Sequence, residues 1–287
     1  MLSPAQITDY RSTGFLLTDS GIGSRDLERV REEVARLEGV EHPGRVMEND
    51  GATVRGLHGC HQVSELFGRL VRLPRILDAA RQLVGGDVYV HQVKVNAKRA
   101  LHGDVWPWHQ DYVFWQHKDG MRRPLAVNAA IFLDEVTEFN GPLLLIPGSH
   151  RKRVPQNLPG NDGETATDNP GTASGNADGE HRSGASGKQD WLSNLSADLD
   201  FRLRAEQLTS LVAESHITSA TGPAGALLFF DPRIVHGSGT NMSPFDRRVA
   251  LFTYNSVTNP LSDVASPRPE FLAARDYRPL SPLSGAL

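Results

Sequence analysis

Hydrophobic residues fall at helical spacing in the first third of the chain and at alternate positions through much of the rest. This predicts N-terminal helices followed by a body of short strands. Ser3-Pro4 opens a short helix carrying Ile7 and Tyr10, and Gly14 ends it before a strand at Phe15-Leu16-Leu17. Ser24 has the character of an N-cap, and Leu27, Val30, Val34 and Leu37 give the helix that follows one apolar face. Another amphipathic helix covers Leu66 to Val84, broken or restarted at Pro74 and stopped by Gly85-Gly86. From Val88 to Asn96 the alternation is that of a strand. One face would carry Val88, Val90, Gln92, Lys94 and Asn96, the other Tyr89, His91, Val93 and Val95.

Further on, Ala126 to Leu133 reads as an apolar strand. Asn140-Gly141 reads as a hairpin turn into Leu144-Leu145-Ile146, and His117 to Gly120 as another turn. From Pro155 to about Gln189 the residues are mostly Gly, Asn, Asp, Ser and Thr, with Leu158 the one large aliphatic residue. Such a stretch cannot bury enough apolar surface to offset its ordering entropy, so residues 154–189 are expected to be a flexible or lid insertion. Helical spacing returns from Trp191 to Glu214. The apolar run Leu227 to Phe230 is expected to be the strand that delivers His236, and a Pro-rich tail follows Asn259.

A chain of 287 residues with 39% hydrophobic content is enough for one large domain over 1–287. The net charge of -4 is mild, and Arg151-Lys152-Arg153 is a lone short basic cluster, so no nucleic-acid partner is expected. No run approaches the ~18 apolar residues of a membrane span. The start Met-Leu-Ser-Pro-Ala-Gln lacks the features of a secretory signal. The single cysteine, Cys60, excludes an internal disulfide and a Cys-based metal site, and fits a reducing cytoplasm.

The chemistry concentrates in Trp108-His109-Gln110-Asp111. Read as extended chain, it puts His109 and Asp111 on one side, able to share a metal ion. A lone His-x-Asp is more often an ordinary surface or core pair, so the company it keeps matters. His236, after an apolar strand, is the best third ligand, ahead of His150 at a loop edge. Arg247 follows eleven positions later in a segment alternating through Val249, Leu251 and Thr253, and offers a fork suited to a carboxylate. Two imidazoles and one carboxylate on one face of the ion are the ligand set of non-haem Fe(II) oxygenases. Arg55, alone in a Gly-flanked strand, is either a surface residue or an inward clamp for a substrate carboxylate.

Five motifs together resemble the phytanoyl-CoA dioxygenase family of Fe(II)/2-oxoglutarate oxygenases from Gln6 to near Arg278. They are His91-Gln92-Val93-Lys94-Val95-Asn96-Ala97-Lys98, Trp108-His109-Gln110-Asp111, Asn140-Gly141-Pro142-Leu143, Pro147-Gly148-Ser149-His150, and His236-Gly237-Ser238 with Arg247 following. Within the family the first and second of these are similar to the ectoine hydroxylases; the closer likeness is to a leucine hydroxylase of antibiotic biosynthesis, through Thr53-Val54-Arg55, Val136-Thr137-Glu138-Phe139-Asn140-Gly141-Pro142 and Ser243-Pro244-Phe245. The resemblance implies a mainly β fold with flanking helices, a double-stranded β-helix of the jelly-roll, cupin-like kind. It implies iron on His109, Asp111 and His236, with 2-oxoglutarate and O2 as co-substrates. Arg247 would pair with the distal carboxylate of 2-oxoglutarate, Lys98 would lie on the co-substrate, Trp115 would wall the pocket and Gln92 would contact substrate. The implied reaction couples decarboxylation of 2-oxoglutarate to hydroxylation of a C–H bond; related halogenases lack the carboxylate that Asp111 supplies. The expected substrate is a free aliphatic L-amino acid, leucine-like, with Arg55 on its α-carboxylate. Ectoine, or another small or carrier-bound metabolite, is the alternative.

Overall fold

The computed structural model describes residues 1–154, 191, 195, 199–285 and 287. Most of the expected insertion over 154–189 therefore lies outside the described residues. Helix α1 (Pro4–Thr13) is started by a reciprocal cap. The Ser3 hydroxyl accepts from the Gln6 amide, and the Gln6 side chain accepts from the Ser3 amide. Gly14, at φ 89°, ends α1 and turns the chain into β1 (Phe15–Asp19). Helix α2 (Ser24–Glu38) begins at Ser24 itself with Gly23 at the cap, one residue earlier than the pattern suggested, and buries the expected Leu27, Val30, Val34 and Leu37.

After β2 (Arg45–Met47) and β3 (Val54–His58), the expected second amphipathic helix is three pieces: α3 (Cys60–Val63), α4 (Glu65–Leu70) and α5 (Pro74–Val84). Ser64 caps α4, and Pro74 sits in the first turn of α5, where its missing N–H costs nothing. The chain continues through β4 (Val88–Lys98), β5 (Trp106–His109), α6 (Asp111–Lys118), β6 (Ala126–Phe132) and β7 (Leu143–Leu145). Beyond the insertion come α7 (Ala205–Ala213), β8 (Thr218–Ala220), β9 (Ala226–Phe230), β10 (His236–Ser238) and β11 (Arg247–Ser256). Helix α7 is shorter than the spacing from Trp191 to Glu214 predicts.

The strands form two antiparallel sheets, one of seven strands in the order β1-β9-β6-β11-β4-β3-β2 and one of four in the order β5-β10-β7-β8. Their inner faces enclose Ala130, Phe132, Leu143, Leu145, Leu228, Phe230, Val249 and Leu251. Helices α2, α4 and α5 cover the outer face of the larger sheet against Val93, Val95, Ala250 and Phe252. This is the double-stranded β-helix, a jelly roll with helices on one face. No helix among the described residues is long and apolar enough to cross a membrane.

Three readings of the pattern are corrected here. Asn140-Gly141 does not close a hairpin, because β6 pairs with β9 and β11 whereas β7 pairs with β8 and β10. Asn140 instead ties its own loop, accepting from the Thr137 amide and donating to the Glu135 carbonyl, while the chain crosses between sheets. Similarly, Leu227–Phe230 belongs to the larger sheet, and His236 sits on a separate short strand of the smaller one. Lastly, β4 does not keep one parity: Thr253 pairs with Gln92 and Tyr254 with Val90, so His91 is an extra residue in a bulge. Val88 and Val90 therefore join Val93 and Val95 under the helices.

A candidate metal centre and its cavity

Strands β5 and β10 run antiparallel with His109 and His236 as direct register partners, so their rings meet at a centroid distance of 4.3 Å. Asp111 arrives by another route than expected. The strand ends at His109, the chain turns at Gln110, and Asp111 is the first residue of α6, where a carboxylate is favoured by the helix dipole. The side-chain amide of Gln110 donates to the Arg233 carbonyl and pins that corner to the segment leading into β10. Asp111 Oδ1 lies 3.5 Å from His109 Nε2, and Oδ2 lies 3.8 Å from His236 Nε2. One ligand atom from each of the three buried residues falls within 4.8 Å of the others.

Hydrogen bonds around the triad prepare it for a cation. His109 Nδ1 is 2.6 Å from the Pro107 carbonyl and His236 Nδ1 is 3.0 Å from the Ile234 carbonyl. A carbonyl only accepts, so both Nδ1 atoms carry the proton and both Nε2 lone pairs face Asp111. Burial, reinforced by the neighbouring His109 ring, pushes His236 down to about 4, which keeps it neutral. For Asp111, burial alone would raise the pKa, but Lys94, His236 and His109 outweigh it and hold the carboxyl ionised. Two imidazoles and one carboxylate fit ferrous iron.

Asp111 is itself oriented: Asn128 Nδ2 donates to its Oδ2 at 2.8 Å, and Thr253 Oγ1 donates to Asn128 Oδ1 at 2.7 Å. We expect Asn128→Ala to weaken iron binding by about tenfold while leaving the three ligands in place. Anaerobic iron titration of the variant checks this, and unchanged affinity would show that the relay carries no orienting role.

A sequence profile of the family described as phytanoyl-CoA dioxygenase matches residues 10–249. The chain belongs to the phytanoyl-CoA dioxygenase family. It is 40% identical to the L-proline trans-4-hydroxylase of Streptomyces griseoviridis, over 96% of this chain and 93% of that protein. It is 34% identical to the ectoine dioxygenase of Halomonas elongata, over 98% of this chain and 79% of that one. Among solved structures it is similar to EctD from S. alaskensis with 2-oxoglutarate and 5-hydroxyectoine. The match has a TM-score of 0.78 and 26% identity, and covers 99% of this chain and 88% of that one. With the triad in place, the protein is an Fe(II)/2-oxoglutarate-dependent dioxygenase with O2 as co-substrate.

The triad of this family member opens onto a cleft of about 760 Å³, counting the solvent at its mouth. Arg247, the first residue of β11, lines it and is 2% exposed; its Nη2 donates to the Gly141 carbonyl and to Ser238 Oγ. Trp115 and Gln92 also line the cleft. The Gln92 amide donates to the Leu272 carbonyl at 2.9 Å, and Trp115 stands edge-on to His91. Lys98 does not line it. As the register partner of Arg247, Lys98 is buried with Nζ 2.6 Å from each of the Asp104 and Gly239 carbonyls, and burial, helped by Arg247 and Arg55, pushes it down to about 7. Arg55 does not line it either, since its guanidinium is engaged within the protein.

Several lining residues escaped the sequence reading: Lys94, Arg268, Trp106, Phe114, Leu195 and Leu199. Lys94 and Gln92 share the inward face of β4, and the pattern placed them together there; no motif singled out Lys94. Arg268 has no local signal at all. It is brought in by the bulge, which leaves the His91 carbonyl free to accept from the Ala274 amide at 2.9 Å and lays the tail along β4. Arg268 then meets Asp119, with Nε and Nη2 at 2.8 and 2.7 Å from the two carboxylate oxygens, and His91 Nε2 lies 3.3 Å from the same group. Asp119 is fully buried at the end of α6, within the stretch the sequence reads as a turn.

Proposed function

We propose that the protein hydroxylates a free aliphatic L-amino acid, leucine-like in shape, within specialised metabolism such as antibiotic biosynthesis. We read 1–287 as one dioxygenase domain. The observation that carries this reading is the division of one cleft into three chemistries. The lining combines the metal triad, Arg247 with Ser238, and the cations Arg268 and Lys94 with the apolar Trp106, Phe114, Leu195 and Leu199. Arg247 and Ser238 are suited to the distal carboxylate of 2-oxoglutarate. Lys98 then acts from beneath, holding the Asp104 and Gly239 carbonyls so that the loops around Arg247 keep their shape.

The carboxylate of the amino acid falls to Arg268 in this reading. The bidentate Asp119 pair fixes its planar fork and takes no part of Nη1. Arg55, the expected clamp, has all three nitrogens engaged by Leu195, Glu48 and Val105 and does not line the cleft. Trp115 and Gln92 close the sides. With ferrous ion bound, the chemistry supplied is decarboxylation of 2-oxoglutarate by O2 coupled to hydroxylation of a C–H bond. The side chains place that bond, and an error of roughly 1 Å costs about a hundredfold.

A cyclic substrate is the second reading, favoured by the 40% identity to a proline hydroxylase and by the ectoine dioxygenases among the relatives. Apolar walls discriminate one methylene by only about 1–3 kcal/mol, so overlap between leucine and proline is expected. A panel of leucine, isoleucine, valine, proline and ectoine, scored by succinate release and a product heavier by one oxygen, separates the readings. Turnover of proline or ectoine alone would overturn the first. Arg268→Gln should raise the KM for the amino acid by about tenfold to a hundredfold while the KM for 2-oxoglutarate stays put. An equal rise in both would move the carboxylate elsewhere.

A further inference from the structure

Arg55 is among the most thoroughly engaged side chains in the protein. Its Nε donates to the Leu195 carbonyl at 3.0 Å, Nη2 to the Val105 carbonyl at 2.9 Å, and Nη1 pairs with Glu48 Oε2 at 2.9 Å. Its guanidinium lies 3.9 Å above the ring centroid of Trp106. Glu48 is fixed in turn, its other oxygen accepting from the Asp104 amide at 3.3 Å. Trp106 and Leu195 both line the cleft, and they come from segments about ninety residues apart with no strand pairing between them. A planar cation can stack on one by its face and hydrogen-bond the other by its edge in one fixed geometry, which lysine's flexible, compact ammonium does not reproduce.

We infer that Arg55 is a positioning residue for substrate specificity: it fixes the spacing between Trp106 and Leu195, the two apolar walls that grip the aliphatic side chain of the substrate. The choice of an aliphatic side chain rests on the functional reading above; the bracing does not. Glu48 compensates the buried charge, so the guanidinium is held for its shape. The two carbonyl contacts turn the fork into a ruler between two walls. Discrimination among side chains differing by a methylene depends on that spacing being held.

The test compares Arg55→Lys, Leu195→Ala and the double variant in iron-loaded enzyme. Arg55→Lys should raise the KM for the amino acid about tenfold. It should also flatten the preference between leucine and valine, and release succinate without matching product, with the KM for 2-oxoglutarate unchanged. The double variant should be no worse than the worse single one, because once the Leu195 side chain is gone the spacing that Arg55 holds has nothing left to set. Additive losses, or a fall in kcat with KM, preference and coupling intact, would overturn the inference. So would a penalty that vanishes with leucinamide, since Arg55 would then be holding the carboxylate. One readout is independent of the substrate's identity. Taking Trp106→Phe as the blank, Arg55→Lys should expose the Trp106 emission to acrylamide quenching, and unchanged quenching overturns the bracing. If no amino acid is turned over while the quenching rises, the functional reading fails and the bracing stands.

Discussion

Asp111→Ala abolishes hydroxylation, with product formation expected to fall by about a thousandfold or more, since loss of a partner that merely orients a ligand already costs about ten- to a hundredfold. Asp111 contributes the one charged oxygen donor of the triad, and its two oxygens face the Nε2 atoms of His109 and His236 at 3.5 and 3.8 Å. Without it, two imidazoles remain, a poor match for a hard divalent ion that prefers oxygen as well as nitrogen. The variant also strands the Asn128 amide, which donates to Asp111 Oδ2 inside the protein. Iron stoichiometry after anaerobic loading and succinate release should therefore fall together. A variant that binds iron one to one and retains full activity would dismantle the triad.

The triad was legible because its signal is short in sequence or carried by strand register. His109 and Asp111 are two residues apart, and His236 with Arg247 flanks a pair of turn and strand patterns that the residue types announce. The route differs from the extended one that the spacing suggests: Asp111 reaches the site from the first turn of a helix, and the two histidines are register partners on neighbouring strands of the smaller sheet. Helical faces survived well, because Leu27, Val30, Val34 and Leu37 need only the local period. What could not be read depends on a single inserted residue. The bulge at His91 reverses strand parity, frees a carbonyl and recruits the tail, and with the tail comes Arg268. Arg55 shows the complementary case. The Gly-flanked strand left it open whether Arg55 faces solvent or the interior, because its partners Leu195, Val105 and Trp106 are assembled only by the tertiary fold.

Arg247→Met separates binding from stability by moving them in opposite directions. Arg247 is 2% exposed, its Nε has no partner, and among the described residues no carboxylate forms an ion pair with it. Burial accordingly pushes its pKa down to about 10. A buried guanidinium so placed is a cost to the fold, and replacing such a charge by an apolar side chain of similar volume is often neutral or stabilising. The apoprotein of the variant should therefore melt no lower than the parent. In the parent, 2-oxoglutarate at a hundred times its Kd should add about 2.7 kcal/mol, and each kcal/mol is worth roughly 2–4 °C for a chain of this size. In the variant that shift disappears and the KM for 2-oxoglutarate rises by about several hundredfold, the cost of truncating one partner of a buried charge pair. Thermal melts with and without 2-oxoglutarate read both effects. A preserved ligand-induced shift in Arg247→Met would mean that the distal carboxylate is held elsewhere. A large drop in the melting temperature of the apoprotein would mean that Arg247 stabilises the fold through Gly141 and Ser238 more than its burial costs.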